Sequence, residues 1–398
     1  MIFSHEHIDN PYPVYAAARE KHPVYWDADL KAWIVLEHDL VSQVFKDARF
    51  SSDRVSIFRD KFEDEKLKPL FKILSLLMLQ RDEPDHTRLR NFVHYAFKRA
   101  AVERYEESIG KLAHELLAPA ISSGQLELVK EFAVPLPILV ISKIVGIPSK
   151  DRKKVKAWCD AFSIVALNFY AKISAEELAA GALAVQEFTQ YLEHEVTVLR
   201  AHPKDNLLSA LVHAEEDGEK LTLDELVANT LLLLNAGNET TSCLLTNGML
   251  TLIRNPSELG QLQSNSALIP TAVEELLRYD SSPQFIGRVA TENTDLGSET
   301  IKKGDLVLLA LGAAGRDPKT YDAQNELRID RHPNHHLSFG SGHHICAGIQ
   351  LARLETRIAF ETLLQTFSSF ELATDNIEFG KNVNLRCPVA LPLNVTPK

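Results

Sequence analysis

The sequence predicts a mainly α chain with a small β region, and three observations carry that expectation. Residues 100–220 read as successive helical patterns. A capping box, Thr222-Leu223-Asp224-Glu225, opens a helix expected to run to about Arg254, just ahead of Asn255-Pro256. Alternating apolar runs of strand type are confined to the neighbourhoods of 24–36, 285–311 and 383–395.

Taken in order, Pro11-Tyr12-Pro13 precedes a short helix through Arg19. Val24–Trp26 and Ala32–Leu36 form a hairpin around Asp27-Ala28-Asp29, and Asp39 is placed to cap a helix over Leu40–Lys46. Charges and aromatics mix without period from Arg49 to Lys72, which predicts a long surface connection. Ile73–Leu79 is strongly apolar and suits either core or the wall of a ligand pocket. Asp85 is placed as the N-cap of the next helix, on which His86 and Arg90 share one face. A helix begins near Pro270, strands follow around Phe285–Ala290 and over Leu306–Leu311 after the turn Lys302-Lys303-Gly304-Asp305, and Val383–Pro392 reads as a last hairpin.

Composition narrows the function classes. A chain of 398 residues with 45% hydrophobic and 24% charged residues has ordinary globular character and enough length for a large core, or by length alone for two or three domains. A net charge of −11 argues against a nucleic-acid binder, which would show a basic surplus. Cys159, Cys243, Cys346 and Cys387 are scattered, as expected in a reducing compartment. There is no cationic-then-apolar N-terminal run and no stretch of roughly 18 apolar residues, so neither a signal peptide nor a membrane anchor is expected. The expectation is a cytoplasmic protein.

Three stretches carry chemistry. In Phe339-Gly340-Ser341-Gly342-His343-His344-Ile345-Cys346-Ala347-Gly348, glycines flank a cysteine that stands just before a helix N-terminus. The positive end of that helix favours an anionic sulfur. From these residues alone the cysteine is a buried inert thiol, a zinc ligand together with His332, His335, His336 and His344, or a ligand to some flat, bulky group that needs close backbone approach. In the middle of the Thr222–Arg254 pattern lies Ala236-Gly237-Asn238-Glu239-Thr240-Thr241, where glycine weakens the helix and hydroxyls can bend it by bonding to the preceding turn. An acid and hydroxyls in an apolar helix are costly unless used; the plain alternative is a packed polar kink. Glu275-Leu276-Leu277-Arg278 is, by itself, an ordinary helical ion pair.

The full pattern around Cys346, followed by Leu351-Ala352-Arg353-Leu354-Glu355, closely resembles the haem-thiolate loop of the cytochrome P450 family. The resemblance extends from about Pro11 to Pro392, with four separated motifs in the family's order. It implies one domain over residues 1–398 and haem b (iron protoporphyrin IX), with Cys346 as the iron ligand that favours O–O cleavage. It places His86, Arg90, Arg288 and His344 on the haem propionates. It makes Ala236 and Gly237 the space over the haem, and Glu239 and Thr240 the managers of protons. Glu275, Arg278 and Arg331 become a buried charge network behind the cysteine loop. Two departures stand out: Leu327 replaces a phenylalanine, and Gly315 replaces the asparagine of N-R-D-P.

By the same resemblance the activity is a monooxygenase reaction, hydroxylation or epoxidation of a hydrophobic small molecule with one atom of dioxygen. Leu76, Phe162, Phe169, Phe285 and Ile286 are candidate pocket residues. Electrons are expected from a separate ferredoxin or flavodoxin with an NAD(P)H-dependent reductase, since the length leaves no room for a fused one. The partner would be met at Lys98, Arg99 and Arg353, and the enzyme is expected to be a monomer. A peroxygenase, a haem-thiolate isomerase, dehydratase or coupling enzyme, and a non-enzymatic haem sensor stand as alternatives.

Overall fold

Pro11 stands at the N-cap of a helix over Tyr12–Lys21, and the chain then enters the hairpin Val24–Asp27 and Ala32–Val35. Asp27 Oδ1 accepts from the backbone N–H groups of Asp29 and Leu30 at 3.0 Å, which closes the predicted turn. Ala32–Val35 pairs in parallel with Leu306–Leu309, and that strand pairs antiparallel with Ile286–Ala290. The computed structural model describes residues 2–59, 65–94, 97, 99–167, 173–215 and 218–398. The chain divides into two compact units, residues 1–49, 99–137 and 238–398, and residues 50–98 and 138–237.

The first unit contains the strands above and a second sheet in which Pro392–Pro397 lies between Gln125–Glu127 and Phe367–Leu372. Its core is built where the helix Ile349–Thr366 packs on Glu106–Ser123, Ile269–Tyr279 and Glu239–Arg254. Leu351, Ile358, Phe360, Leu363, Leu276 and Leu245 are buried there at helical spacing, so the apolar stripes legible in the sequence are the packed faces. In the second unit the helices Arg152–Leu167, Ala175–Ala201, Leu207–His213 and Leu223–Ala236 pack with Lys68–Ser75. Two capping boxes, Ser174 with Glu177 and Thr222 with Glu225, open the longer helices.

Several expectations change. The helix expected at Leu40 starts at His38, and its first turn is held by Asp317, whose carboxylate accepts from the His38 N–H at 2.8 Å; exposed Asp39 does not cap it. Asp85 is the first residue of the helix Asp85–His94 and pairs with Arg81 instead of capping. The stretch from Arg49 to Lys72 is no simple surface connection, for it carries the helix Val55–Arg59 and the start of Lys68–Ser75, with Leu70 and Phe71 buried. The strand expected through Leu311 stops at Leu309, where the short helix Leu311–Ala314 begins. The terminal strand pairs with Phe367–Leu372, and residues 383–391 make only isolated bridges, because Pro388 and Pro392 lack ladder donors. The long helix is two helices, Leu223–Ala236 and Glu239–Arg254. No described helix is long and apolar enough to cross a membrane.

Candidate active site

The loop before Cys346 is closed by backbone hydrogen bonds: Cys346 N–H donates to Phe339 O at 2.9 Å and Gly340 N–H to Leu337 O at 2.8 Å. Gly340 and Gly342 both hold φ at +70°, a conformation that side chains rarely adopt. A Cβ on Gly342 would also stand 2.6 Å from the Phe45 carbonyl oxygen. Two glycines are therefore required for this loop, and they present Cys346, half-buried, just ahead of the helix Ile349–Thr366. A Cβ on Gly348 would touch the Cys346 sulfur at 4.0 Å, so this third glycine leaves the flank of the sulfur uncovered.

Behind the loop, Glu275, Arg278 and Arg331 come together as expected. Arg278 donates to both Glu275 carboxylate oxygens at 2.7 Å, and Arg331 Nε lies 3.1 Å from each. Sequence reasoning missed that the Arg328 N–H and Asn334 Nδ2 also donate to Glu275, at 2.9 and 3.2 Å. Arg278 further donates to the carbonyls of Gly315, Gln324 and Glu326, tying down the segment that leads to the cysteine loop. Leu327, in the place of the family's phenylalanine, is buried. Gly315 has a physical reason: any Cβ there would run into the Arg278 carbonyl oxygen.

The break between the two central helices is polar and accessible. Residues Leu226–Asn235 on one side and Thr241–Leu252 on the other are buried, whereas Gly237, Asn238, Glu239 and Thr240 are half-buried and Ala236 is exposed. The Gly237 N–H reaches Leu233 O only at 3.4 Å, and the backbone bonds resume with Ser242 N–H on Asn238 O. In the Glu239–Arg254 helix the Ser242 hydroxyl bonds back to Asn238 O and the Thr246 hydroxyl to Ser242 O. Thr240 O instead accepts from the buried Ser282 hydroxyl at 3.1 Å. No sequence signal pointed to Ser282.

Arg288, in the first unit, is 2% exposed, donates to Gly287 O and has its guanidinium 5.3 Å from the centre of the Phe45 ring. His344 is half-buried in the cysteine loop. In the second unit His86 is buried one helical turn before half-buried Arg90, and its ring nitrogen lies 3.4 Å from Glu83. Among the pocket candidates, Leu76 and Ile286 are half-buried, while Phe162 and Phe285 are enclosed by protein, Phe285 with its ring 4.2 Å from that of Phe3. Phe169 and Lys98 lie outside the described residues.

The two described members of the expected basic face are each ion-paired. Arg353 makes two hydrogen bonds to Glu274, at 2.7 and 2.6 Å, and Arg99 pairs with Glu103. Burial works against ionisation of Glu274, yet hydrogen bonds from His336 and Arg353 hold its pKa at about 2. Glu355, two residues beyond Arg353, is the opposite case. It is 1% exposed, its Oε1 has no hydrogen-bond partner among the described residues, and burial raises its pKa to about 8.

The donor set fits haem and not a protein-caged metal. Among the described residues no three His, Cys, Asp or Glu side chains are grouped to hold an ion. His336 is bonded to Glu274, so the zinc alternative fails, and Cys346 is the one sulfur that the loop presents.

Fold and donor set together define a haem-thiolate protein. The family model for cytochrome P450 matches residues 21–382, and the chain belongs to the cytochrome P450 family. It is 38% identical to the polyketide biosynthesis cytochrome P450 PksS of Bacillus subtilis, over 97% of this chain and 96% of that one. It is 37% identical to the biotin biosynthesis cytochrome P450 of the same organism, over 98% and 97%. Among solved structures, P450BioI in complex with an acyl carrier protein ligated to hexadec-9Z-enoic acid superposes with a TM-score of 0.91 at 36% identity, covering 98% of this chain and all of that one. Members of the family bind haem through a cysteine thiolate, and haem is the cofactor here. The fold is the family's, mainly α with a small β region.

Proposed function

We propose that the protein is a monooxygenase that places one atom of dioxygen into a hydrophobic molecule, with electrons from a separate ferredoxin or flavodoxin and its NAD(P)H-dependent reductase. The observation that carries this reading is the half-buried Glu239–Thr240 pair, set between two long stretches of buried helix. A structural kink needs no acid there, and a haem sensor needs no proton path. Cys346 would hold the iron, and His86, Arg90, Arg288 and His344 the propionates, through charge-assisted hydrogen bonds. Haem, when bound, supplies the activation of dioxygen. Thr240 Oγ1 donates a proton at the oxygen site, and the Glu239 carboxyl turns between solvent and Thr240 to replace it. The Ser282 hydroxyl, by holding Thr240 O, fixes the backbone from which both side chains project.

The substrate class follows from the relatives. Those named for polyketide and biotin biosynthesis, and the P450BioI structure solved with a carrier-bound fatty acyl chain, support a long apolar substrate. We place the protein in the cytoplasm, as a monomer. The test is twofold. The reduced protein with carbon monoxide gives the red-shifted Soret band of a thiolate-bound haem, and Cys346→Ala loses it. With reductase, ferredoxin and a fatty-acid panel, labelled dioxygen enters one product; a Cys346→Ala variant that keeps the band, or oxygen uptake without labelled product across the panel, overturns the reading.

A further inference from the structure

Arg386 stands in the stretch of chain before the terminal strand, and all three nitrogens of its side chain are engaged. It is 3% exposed. Nη1 donates to both carboxylate oxygens of Asp280, at 2.8 and 2.7 Å. Nε donates to Ile8 O at 2.6 Å and Nη2 to Asp9 O at 2.7 Å. The guanidinium lies 4.1 Å from the centre of the Phe379 ring, and Tyr12 OH donates to Asp280 Oδ1 at 2.6 Å. The ion pair is thus hydrogen-bonded on several sides, as a buried pair must be to persist. The backbone of Arg386 is engaged as well, because its carbonyl accepts from Asn247 Nδ2 at 2.8 Å in the interior.

These contacts close a ring. Asn247 lies about two turns beyond Thr240 on the Glu239–Arg254 helix. Asp280, whose N–H donates to Leu276 O at 3.0 Å, is followed two residues later by Ser282, whose hydroxyl donates to Thr240 O at 3.1 Å. From Thr240 the ring runs along the helix to Asn247, across to Arg386, through the ion pair to Asp280 and back by way of Ser282. The stretch beside Ser282 is itself braced. Gln284 Nε2 donates to Ser281 O at 2.7 Å, and Gln284 Oε1 accepts from Tyr15 OH at 3.0 Å. Thr240 needs such a frame, because it stands in the first turn of its helix, where the leading N–H groups lack intrahelical partners.

We propose that Arg386 is a positioning residue for proton delivery: through Asp280 and Asn247 it fixes the backbone from which Glu239 and Thr240 project. The role rests on the reading of that pair as the proton path, and it is exercised through backbone position, with no proton passing over Arg386. A misplacement of about 1 Å caused by a change far from the chemistry can cost about 10²-fold, so a loosened ring is felt at Thr240.

Two variants open the ring at different points. Asn247→Leu keeps the branched shape and removes the donor to Arg386 O, and no buried charge loses its partner. Arg386→Lys keeps a cation beside Asp280, but one ammonium cannot span the carboxylate and both carbonyls. Amide hydrogen exchange of the haem-loaded proteins, followed by mass spectrometry, reads position without turnover. Peptides covering residues 238–246 are expected to exchange several-fold faster in both variants, while peptides from Glu106–Ser123 keep the parent rate. In the reconstituted system, with a fatty acid that gives labelled product, product per nicotinamide oxidised is expected to fall several-fold and peroxide to rise. In a Thr240→Ala background the same two changes are expected to shift that ratio no further, since the group they position is gone; a residue that merely supports the fold would lower yield and leave the ratio alone. Parent-like exchange over residues 238–246 in both variants overturns the proposal. So does parent-like coupling in both while Thr240→Ala is uncoupled, which leaves the proton path standing without Arg386. A Thr240→Ala variant as tightly coupled as the parent brings down the proton path, and the positioning role with it.

Discussion

Glu275 and Arg278, three residues apart on one helix, are joined by two hydrogen bonds of 2.7 Å with both side chains wholly out of solvent. A pair buried this deeply is stable only while every charge is answered, and here Arg331, Asn334 and the Arg328 N–H complete the set. Glu275→Gln leaves two guanidinium groups without their shared carboxylate. The expected cost is about 3–5 kcal/mol, read as a lowered denaturant midpoint and poor yield of haem-loaded protein. A midpoint within the error of the parent's would mean that the carbonyls around Arg278 suffice.

Gly315 gives a sharper packing test, since the position departs from the family pattern. Its carbonyl accepts from Arg278 Nη1 at 2.7 Å, and its Cα faces the Arg278 backbone. Gly315→Ala forces that backbone to move, at about 1–3 kcal/mol as in other overpacked cores. Gly315→Asn, which restores the family residue, is expected to cost at least as much. Unchanged thermal unfolding of Gly315→Ala would show that the segment gives way freely.

Glu355 predicts a pH dependence whose sign can be worked out. Its folded pKa of about 8 lies above the ordinary carboxyl value of 4.5. Between those values the folded protein holds a proton that the unfolded chain releases, so this group lowers stability steadily as pH rises from about 4.5 to about 8, and no further above that. Glu355→Gln keeps the shape and removes the titration. The stability of the variant relative to the parent should therefore climb between pH 5 and pH 8, by an amount on the order of a few kcal/mol. Parallel curves for the two proteins across that range would place an ionised Glu355 in the folded state.

Glu274 bears on electron supply. While it is ionised, Arg353 is paired with it. Glu274→Gln releases that charge, and reduction by an acidic ferredoxin is expected to quicken a few-fold at low salt. The gain should fade in strong salt, where screening acts over only about 3 Å. Equal stopped-flow rates for parent and variant at low salt would count against docking at Arg353.

The legible part of this molecule is its local chemistry. The capping box at Thr222, the glycines before Cys346 and the Glu275–Arg278 spacing each act within a few residues, and the structure keeps all three. What the sequence left out depends on residues far apart in it. Asp317 capping the helix at His38 and Asn334 completing Glu275 have no local signature. The ion pair at Arg353 was hidden for a related reason: Arg353 reads as a surface charge until the fold brings Glu274 to it. The helix break was half legible. Gly237 marked the place, but Ser242 and Thr246, whose hydroxyls bond back to the preceding turn, carried no signal of their own.

Thr240 is where the proposed mechanism is most exposed to test. It stands at the open break with its carbonyl held by Ser282, so its side chain can change without moving the backbone. Thr240→Ala removes one proton donor and leaves the cysteine loop, the Glu275 network and the Arg353 face intact. Consumption of reduced nicotinamide by the reconstituted system is then expected to continue near the parent rate. Product should fall and hydrogen peroxide rise, because oxygen reduced without a well-placed proton departs as peroxide. Glu239→Gln acts earlier, for it stops the resupply of protons, and the whole turnover should slow. A positioned proton donor or acceptor contributes about 10²–10⁴-fold, so both effects lie well outside assay error. The measurement is product formed per nicotinamide oxidised, with peroxide assayed in the same sample. Ser282→Ala separates position from chemistry: it loosens Thr240 while keeping the hydroxyl, and an intermediate ratio is expected. If Thr240→Ala stays as tightly coupled as the parent, the threonine serves only the helix break, and the protons enter by another route.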